Sequence, residues 1–396
     1  MGTDRFVYMD HSATTPVRRE VMDEMLPYFT EKFGNPSSIY TFARRSKSAV
    51  EDSRVKVANA IGALTDEIYF TGGGSEADNW ALKGIAFANR SKGNHIITSS
   101  IEHHAILNTC KYLEKQGFEV TYLPVDKEGI IDIGELQRSI TDKTILISIM
   151  TANNEIGTIQ PIAEIGKIAK ENGIYFHTDA VQAIGNVPID VKDMNIDLLS
   201  LSAHKFYGPK GIGALYIKKG IKIDNIIHGG GQERNRRGGT ENLSGVIGLG
   251  KAIELATRDI EGHNKKIIAM RDRLLDGIMD KIPYTKLNGH REKRLPGNIN
   301  VSFEFIEGES LLLLLDGAGI CASTGSACSS GSLDPSHVLL AIGLPHEKAH
   351  GSLRLSLGDL NTEEDVDYVL KVLPGIVERL RSMSPLYATF LKEGGR

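Results

Sequence analysis

The middle of the chain alternates between short apolar runs and longer segments whose apolar residues recur every three or four positions. This alternation extends from about residue 65 to 217 and is typical of β-α-β units that build a parallel sheet. We therefore predict an α/β fold with a mostly parallel central sheet flanked by helices. The predicted strands are EIYF (67–70), NHIITSS (94–100), FEVTYLPV (118–125), TILISIM (144–150), GIYFHTDA (173–180), DLLSLSA (197–203) and GIGALYI (211–217).

Segments of helical periodicity lie between and after these strands. One helix is predicted from Ser75 to about Asn89. The segments ILNTCKYLEKQG and IAEIGKIAKENG each end in glycine, which favours a helix C-terminus at that point. A longer helical stretch, roughly 242 to 282, contains no breaker other than glycine and is expected to bridge two domains.

After Pro283 the pattern changes to a smaller α+β unit. The segments GNINVSF and GSLRLSL are predicted strands, and EGESLLLLLDGAG and TEEDVDYVLKVLPGIVERL are predicted helices. The N-terminal segment is expected to pack on this unit.

Composition and charge argue against several classes of protein. The 396 residues are 41% hydrophobic and 24% charged, with a net charge of −4. A nucleic-acid partner is not expected, because binding phosphates requires a concentration of Lys and Arg. The apolar run SLLLLLDGAGI is interrupted at Asp316 and is too short to span a bilayer. The first residues lack the basic-then-apolar order of a secretion signal. Three cysteines at unrelated spacings predict neither a disulfide framework nor a zinc site, and a reducing cytoplasm is the expected location.

One of the three cysteines, Cys328, stands among small polar residues in CASTGSACSSGSLDP (321–335). A structural thiol prefers apolar neighbours, because free cysteine behaves as a small hydrophobic residue. The serines and glycines instead predict a mobile exposed loop, about residues 322–335, in which a thiol is available for chemistry. Cys110 lies on an apolar helix and Cys321 lies beside GAGI, so both are interpreted as buried structural thiols.

A lysine follows one of the predicted strands at its carboxyl end. The segment SLSAHKFYGPKGIG (200–213) leaves a buried strand and enters a glycine-rich turn, with Lys205 just past the strand. Ligand sites in open parallel sheets gather outside the carboxyl ends of the strands. A lysine there can form a Schiff base when its surroundings lower its pKa. The alternative is a solvated loop lysine.

Two further segments favour a cofactor site. YFHTDAVQ (175–182) ends the preceding strand at Asp179, which is either an acid in the same pocket or the N-cap of a following helix. In FTGGGSEADN (70–79), the glycines and the helix start at Ser75 are suited to binding a phosphate. The three glycines are consecutive, so they do not fit the spaced glycine pattern of dinucleotide-binding sites. A lysine, an acid for the ring nitrogen and a site for one phosphate are together what pyridoxal phosphate requires.

Ten segments follow one another in a characteristic order: YMDHSATTP, FGNPSS, TGGGSEADN, EHHAIL, NNEIGTIQPI, HTDAVQAIG, SLSAHKFYGPKGIGALY, HGGGQERNRRGGTEN, TGSACSSGS and LRLSLG. In these segments the chain resembles the class V, fold-type I pyridoxal phosphate enzymes, and within them the cysteine desulfurases of the NifS/IscS type. The long segment STGSACSSGSLDPSHV favours this group over the SufS-like enzymes and selenocysteine lyases. The resemblance implies a large aminotransferase-type domain, residues 15–260, and a small domain formed by residues 1–14 and 261–396.

The resemblance also implies roles for individual residues of the cofactor site. Lys205 matches the lysine that bonds to the cofactor and moves protons, and Asp179 matches the partner of the ring nitrogen. His103 matches the histidine that stacks over the ring, whereas His104 is interpreted as a polar residue at a helix start. The remaining matches are Gln182 and Asn154 at the ring, Gly74, Ser75, Ser202 and His204 at the phosphate, and Thr240, contributed across a homodimer interface to the other subunit's phosphate.

The resemblance implies a reaction for the exposed thiol. Lys205 would remove the Cα proton of L-cysteine, the Cys328 thiolate would attack the substrate sulfur, and alanine would leave with a persulfide remaining on Cys328. Arg354 would bind the substrate carboxylate through a bidentate pair, with Asn35 as an accessory contact; the alternative for Arg354 is a surface strand residue. The functional alternatives are another pyridoxal lyase or aminotransferase, against which Cys328 argues, and a sulfur-handling scaffold without turnover, against which Lys205 argues.

The partners implied by the resemblance are L-cysteine, a second copy of the chain and a scaffold protein of the NifU/IscU type, on which iron–sulfur clusters are assembled. The C-terminal SPLYATFLKEGG resembles the tail that docks this scaffold, through Leu386, Tyr387, Phe390 and Leu391. The alternative is a tail that packs on its own domain. No metal site is expected on the chain alone, with Cys328 a candidate ligand of an iron–sulfur cluster shared with the scaffold.

Overall fold

The computed structural model describes residues 5–324 and 335–394 of the chain. Its strands, in chain order, are β1 (Val7–Tyr8), β2 (Ile68–Thr71), β3 (His95–Ser99), β4 (Glu119–Leu123), β5 (Thr144–Ser148), β6 (Tyr175–Asp179), β7 (Leu198–Ser202), β8 (Gly213–Ile217), β9 (Thr285–Leu287), β10 (Asn298–Phe303), β11 (Ile320–Cys321) and β12 (Ser352–Ser356).

The described helices also follow in chain order. They are α1 (Arg19–Met25), α2 (Pro27–Thr30), α3 (Thr41–Ala60), α4 (Gly74–Ala88), α5 (His104–Lys115), α6 (Ile133–Ser139), α7 (Ile162–Glu171), α8 (Gln232–Asn235), α9 (Leu243–Ala256), α10 (Ile260–Lys281), α11 (Gly308–Gly317), α12 (His337–Ala341), α13 (His346–His350), α14 (Glu363–Ser382) and α15 (Pro385–Lys392). Within residues 5–324 and 335–394, no helix is long and apolar enough to cross a membrane.

The seven strands predicted between residues 65 and 217 form one sheet, in the order β2-β8-β7-β6-β5-β3-β4. All neighbours from β7 to β4 pair in parallel, while β8 runs antiparallel to both β2 and β7. The prediction of a mostly parallel sheet is confirmed.

Both faces of this sheet are covered by helices, as the continuous apolar character of its strands requires. Successive residues of a strand enter opposite cores: Ile97 packs with α3, α7 and α9, whereas Ile96 packs with α4 and α5. The two glycines predicted to end helices, Gly117 and Gly173, have φ angles of 88° and 66°, a left-handed conformation that glycine adopts without strain.

The long helical stretch predicted over residues 242–282 is interrupted. Helix α9 ends at Ala256 and α10 begins at Ile260, because Asp259 leaves the helical conformation and its Oδ1 accepts a hydrogen bond from Gly262 N at 2.9 Å. The stretch nevertheless connects two cores. Apolar residues of α9 belong to the core of the large sheet, whereas those of α10 belong to a second core.

The second core is built from both ends of the chain. Strands β12, β10 and β9 form an antiparallel sheet, and β1 pairs in parallel with β11. Val7 and Met9 are fully buried in this core together with residues of α10, α11 and α14, so the N-terminal segment packs on the C-terminal unit as predicted. On this basis we propose the division into a large domain, residues 15–260, and a small domain, residues 1–14 and 261–396.

Candidate active site

A cavity of about 320 Å³ lies at the carboxyl ends of β6 and β7 and at the start of α4. This volume is within the range of small-molecule sites. Ten predicted site residues line it: Gly74, Ser75, His103, Asn154, Asp179, Gln182, Ser202, His204, Lys205 and Arg354. A larger cavity, about 890 Å³, lies beside α15 but is lined by none of these residues.

Lys205 ends a short 3-10 turn directly after β7, at the edge of the sheet where the sequence pattern places it. Its Nζ donates hydrogen bonds to the carbonyl oxygens of Ser12 at 2.5 Å and Ala13 at 2.8 Å. Gln182 Nε2 donates to the same Ser12 oxygen at 2.9 Å. The N-terminal segment therefore forms one wall of the cavity.

Asp179 is the last residue of β6 and is 6% exposed. Burial raises the pKa of its carboxyl to about 6, while the Val181 N–H, which donates to Oδ1 at 2.9 Å, and the nearby Lys205 charge lower it. A buried acid in this state gains from a cationic N–H partner, because the partner compensates the desolvated charge. Asp179 thus has the chemistry that a protonated ring nitrogen requires.

The first turn of α4 bounds another part of the cavity. Gly73 has a φ of 150°, and a Cβ at Gly74 would lie 2.7 Å from Val181 Cγ2, so glycine is needed for the backbone to approach this closely. The backbone N–H groups at the start of this fifteen-residue helix attract an anion. Ser75, Ser202 and His204 line the same cavity, which gives a cradle suited to one phosphate.

The two cavity histidines are held neutral. Burial, followed by the charge of Lys205, lowers the pKa of both His103 and His204 to about 4. His103 Nδ1 accepts a hydrogen bond from Ala105 N at 3.1 Å, so the proton of its neutral ring lies on Nε2. Helix α5 begins at His104, whose side chain is exposed, which agrees with its interpretation as a polar residue at a helix start.

Arg354 lies on β12 of the small domain, and it is 3% exposed rather than a surface residue. Its Nη1 donates to the Asn154 carbonyl oxygen at 3.1 Å and its Nη2 to Asp10 Oδ1 at 2.8 Å. Its Nε has no hydrogen-bond partner among the described residues. A buried guanidinium that lines a cavity is suited to a carboxylate.

Three predicted site residues are not among those that line the cavity. Asn35 is exposed, and its Oδ1 accepts a hydrogen bond from Ser37 N at 2.9 Å. Thr240 is exposed and borders a separate cavity between β2 and the start of α9. Cys328 lies outside the described residues.

The sequence interpretation missed a buried acid in the cavity wall, Asp78. It is 1% exposed, and its Oδ1 lies 3.8 Å from His177 Nε2 without a hydrogen-bond partner among the described residues. His177 also contacts the hydroxyls of Ser148 and Ser200 through its two nitrogens, at 2.8 and 3.0 Å. The sequence contained a signal for Asp78, because this residue lies one helical turn after Gly74 and therefore on the same face of α4 as the phosphate-binding glycine.

The two neighbouring acids carry different charge. Burial, followed by the proximity of Asp179, raises the pKa of Asp78 far above its ordinary value, and burial lowers the pKa of His177 to about 3. The raised pKa of Asp78 favours its protonated form beside a neutral imidazole and leaves the negative charge of the pair to Asp179. Two carboxylates at such a site cannot both ionise readily.

This charge assignment predicts opposite outcomes for two substitutions of the same type. Asp78→Asn replaces a neutral acid by an amide of the same shape and is expected to keep pyridoxal phosphate affinity within about twofold. Asp179→Asn removes a charged acceptor and is expected to lower that affinity at least about tenfold, since a hydrogen bond to a charged group contributes about 1.5–3 kcal/mol. The absorbance of bound cofactor, titrated for both variants, measures the difference; equal losses would show that the charge is shared.

Comparisons with known proteins agree with this site. The sequence matches the class-V aminotransferase family over residues 7–369. A relative in Methanosarcina thermophila named cysteine desulfurase IscS is 69% identical over 383 residues, which cover 97% of this chain and 95% of the relative.

Two solved structures have the same fold. A protein described as NifS-like is 41% identical, with a TM-score of 0.90, and the match covers 95% of this chain and 100% of that one. SspA, solved in complex with cysteine, is 40% identical with a TM-score of 0.80, over 89% of this chain and 98% of its own.

Pyridoxal phosphate is the cofactor of this family, and the cavity fits it. Lys205 would bond to its aldehyde, Asp179 would face its ring nitrogen, and the start of α4 together with Ser202 would hold its phosphate. The chain therefore belongs to the class-V aminotransferase family and, within it, to the pyridoxal phosphate-dependent cysteine desulfurases of the NifS/IscS type.

Proposed function

We propose that this chain converts L-cysteine to L-alanine in the Lys205 cavity and passes the sulfur, as a persulfide on Cys328, to an acceptor for iron–sulfur cluster assembly. The observation that carries the proposal is that Lys205, Asp179 and Arg354, from two domains, line one cavity. Its roles for individual residues rest on this geometry and on the family to which the chain belongs.

When bound, pyridoxal phosphate withdraws electrons from the Cα of an attached amino acid. Lys205 would hold the cofactor and then move a proton at Cα, since its Nζ lies in the cavity wall. Asp179 would keep the ring nitrogen protonated, and His103, which lines the cavity, would stack on the ring. Gln182 and Asn154 would contact the ring edge.

Arg354 would bind the substrate carboxylate. Its Nη2 contacts Asp10, and its Nε is buried without a hydrogen-bond partner in residues 5–324 and 335–394. A carboxylate that takes the place of Asp10 at the guanidinium fork would be held beside Lys205 and would orient Cα toward it. Asp10 competes for the same cation, so it would limit how tightly a carboxylate binds.

Cys328 would accept the sulfur. Its thiolate forms an S–S bond with the substrate sulfur while the Cβ–S bond breaks, the electron pair of that bond stays on Cβ, and the substrate's thiol proton completes the methyl group of alanine. Neither other cysteine suits this role. Cys110 is fully buried, and burial raises the pKa of both Cys110 and Cys321.

The proposed reaction is tested by measuring alanine released from L-cysteine in the presence of a reductant. We expect release from the parent chain, and a loss of about 10³-fold or more in Cys328→Ala, because the nucleophile is removed. Cys321→Ala is the matched control and should keep nearly full release. Alanine release that survives Cys328→Ala would overturn the proposal for this thiol.

We propose that the enzyme is a homodimer whose interface includes the region between Met22 and Phe42. Seven of the seventeen exposed large hydrophobic side chains among the described residues lie in this region: Met22, Leu26, Phe29, Phe33, Ile39, Tyr40 and Phe42. Such a concentration is typical of an interaction site.

Asn35 and Thr240, the two described site residues that do not line the Lys205 cavity, lie in or beside this region. Asn35 belongs to it, and Ser37 Oγ lies 3.5 Å from the carboxylate of Glu241, the residue after Thr240. The Thr240 segment is anchored to the domain by Glu233, whose carboxylate accepts from Arg54 at 2.7 and 2.9 Å and from Phe70 N at 2.8 Å. An exposed, anchored Thr240 is available to the cofactor phosphate of a second copy.

A charge placed in this region should dissociate the dimer. Ile39, 92% exposed, is the strongest position, and Ile39→Glu is expected to shift the mass measured by sedimentation from dimer to monomer and to weaken cofactor retention. Leu313→Glu, at a leucine 74% exposed on α11, is the matched control that should remain dimeric. A dimeric Ile39→Glu variant would place the interface elsewhere, and a monomeric parent would refute the dimer.

We propose that a scaffold protein receives the sulfur and docks on α15. The predicted docking residues separate into two pairs. The rings of Tyr387 and Phe390 pack on Phe305 of the small domain, with centroids 5.4 and 4.8 Å away, whereas Leu386 and Leu391 are 64% and 55% exposed. The aromatic pair thus fixes the helix, and the leucines offer an apolar surface to a partner.

Substitution of one exposed leucine separates docking from chemistry. Leu386→Glu is expected to leave alanine release unchanged and to lower the transfer of labelled sulfur to a scaffold of the IscU type by about tenfold or more, because a lost interface hot spot costs about 2 kcal/mol. Leu313→Glu again serves as the control. Unchanged transfer would exclude this face of α15 as the docking surface.

A further inference from the structure

The turn that contains Ser12 and Ala13 presents two backbone carbonyl oxygens to the cavity. Both residues line the cavity, and Lys205 Nζ donates to the Ser12 oxygen at 2.5 Å and to the Ala13 oxygen at 2.8 Å. We call these two oxygens the carbonyl pair. They are consecutive along the backbone and converge on one nitrogen, an arrangement suited to an ammonium group, which has three donors and no acceptor.

The carbonyl pair distinguishes between the chemical forms of Lys205. A lysine nitrogen bonded to a cofactor carbon carries at most one proton, whereas the amine carries two and the ammonium group three. Two hydrogen bonds from one Nζ therefore belong to a Lys205 that is not bonded to the cofactor. Of its two forms, the ammonium group is favoured, because a hydrogen bond from a charged donor is roughly twice as strong as one from a neutral donor.

The Ser12 oxygen is oriented by a second donor besides Lys205. Gln182 Nε2 donates to the same oxygen at 2.9 Å. Gln182 lies three residues after the end of β6 and lines the same cavity. The large domain therefore keeps this oxygen directed at the cavity while the Lys205 side chain moves.

The backbone of the turn is fixed to the small domain. Ser12 N donates to Ser356 Oγ at 2.8 Å, and His11 donates to the Ser356 carbonyl oxygen from its backbone N at 3.3 Å and from Nδ1 at 3.0 Å. All three residues are buried, and Ser356 ends β12 two residues after Arg354. The carbonyl pair is thus preorganised, so that it receives a positive charge without rearrangement of the backbone.

The backbone that carries Lys205 is fixed to the same N-terminal segment. Thr15 Oγ1 donates to the His204 carbonyl oxygen at 3.0 Å and accepts from Tyr207 N at 2.8 Å. Thr15 N donates to the same His204 oxygen at 3.0 Å. Because these contacts flank Lys205, they hold its backbone at a fixed position relative to the carbonyl pair, and only the side chain has to move between the pair and the cofactor.

We propose that the carbonyl pair is the binding site of the Lys205 ammonium group during catalysis, where it holds the proton that Lys205 takes from the substrate Cα. In that step the Cα–H bond breaks, its electron pair stays with the substrate, and the proton forms the third N–H bond of Lys205. This inference rests on the proposed role of Lys205 in moving that proton. By stabilising the ammonium form, the carbonyl pair makes the Lys205 amine a stronger base.

The test weakens each carbonyl oxygen without changing a side chain. Replacing Thr14 by its α-hydroxy acid turns the Ala13–Thr14 amide into an ester, and replacing Ala13 by L-lactic acid does the same to the Ser12–Ala13 amide. An ester carbonyl is a poorer hydrogen-bond acceptor than an amide carbonyl, because oxygen donates less electron density to it than nitrogen does. The matched control is the α-hydroxy acid of Val17, whose side chain packs against the core of the large sheet.

The first measurement follows Lys205 without catalysis. In the full chain prepared without cofactor, the rate at which acetic anhydride acetylates Lys205 is measured against pH by mass spectrometry, since only the amine form reacts. Each ester of the carbonyl pair is expected to lower the pH midpoint of labelling by about 0.5 unit or more, because the ammonium form loses part of its stabilisation. The Val17 ester should keep the parental midpoint.

The second measurement follows proton transfer in the holoenzyme. With L-alanine in D2O, the exchange of its Cα proton for deuterium is measured by NMR, and this exchange does not involve Cys328. Each ester of the carbonyl pair is expected to slow the exchange about twofold to threefold, because a weaker base removes the proton more slowly. The Val17 ester should exchange at the parental rate.

The outcomes separate this inference from the proposed function. Parental exchange in both esters, while Lys205→Ala abolishes exchange, would overturn the role of the carbonyl pair in catalysis, and parental labelling midpoints would overturn it as the ammonium site. Equal changes in the Val17 ester would also overturn the inference, because the effect would then come from general damage to the segment. Exchange that survives Lys205→Ala would instead refute the proposed function of Lys205.

Discussion

The cavity depends on the contact between the two domains at Lys205, where hydrogen bonds of Lys205 and of the preceding His204 hold the N-terminal segment. Lys205 follows a central strand of the large sheet, whereas Ser12 and Ala13 follow a segment whose Val7 and Met9 are buried in the small-domain core. These bonds close the cavity between two separate cores. They also give Lys205 Nζ two carbonyl acceptors, so its ammonium group is held at a defined place in the cavity.

Burial of ionisable side chains determines which of them are charged inside the cavity. Asp78 and Asp179 are buried and the two cavity histidines are partly buried, so each pKa is shifted in the direction that favours the neutral side chain. The shifts are unequal because Asp179 has the Val181 N–H and the Lys205 charge nearby, whereas Asp78 has a neutral imidazole and another acid. One acid therefore remains available to a cationic ring, and the other supports it without adding charge.

The small domain does more than form part of the cavity wall. It supplies Arg354 and holds Ser323 against the same strand, and its Asn298 and Asn300 fix the backbone of Glu155. The small domain therefore supplies one cavity residue, Arg354, and supports the backbone next to another, Asn154.

The sequence by itself determined the seven strands of the large sheet, the position of Lys205 and Asp179 at strand ends, and the glycines of the phosphate cradle. These are local features, since a strand run, a turn and a helix start each depend on residues close in sequence. The predicted continuous stretch over residues 242–282 missed the break between α9 and α10, because an aspartate such as Asp259 is also compatible with a helix interior and acts as a cap only when the chain leaves the helix there.

The tertiary structure alone decided which distant groups meet. Asp10 on Arg354, Ser12 on Lys205, and Glu155 on Ser336 are separated by about 180 residues or more, so no periodicity or motif spacing could have paired them. The charge difference between Asp78 and Asp179 also could not be predicted from the sequence. It arises from burial and from neighbours on other strands, which exist only after the chain has folded.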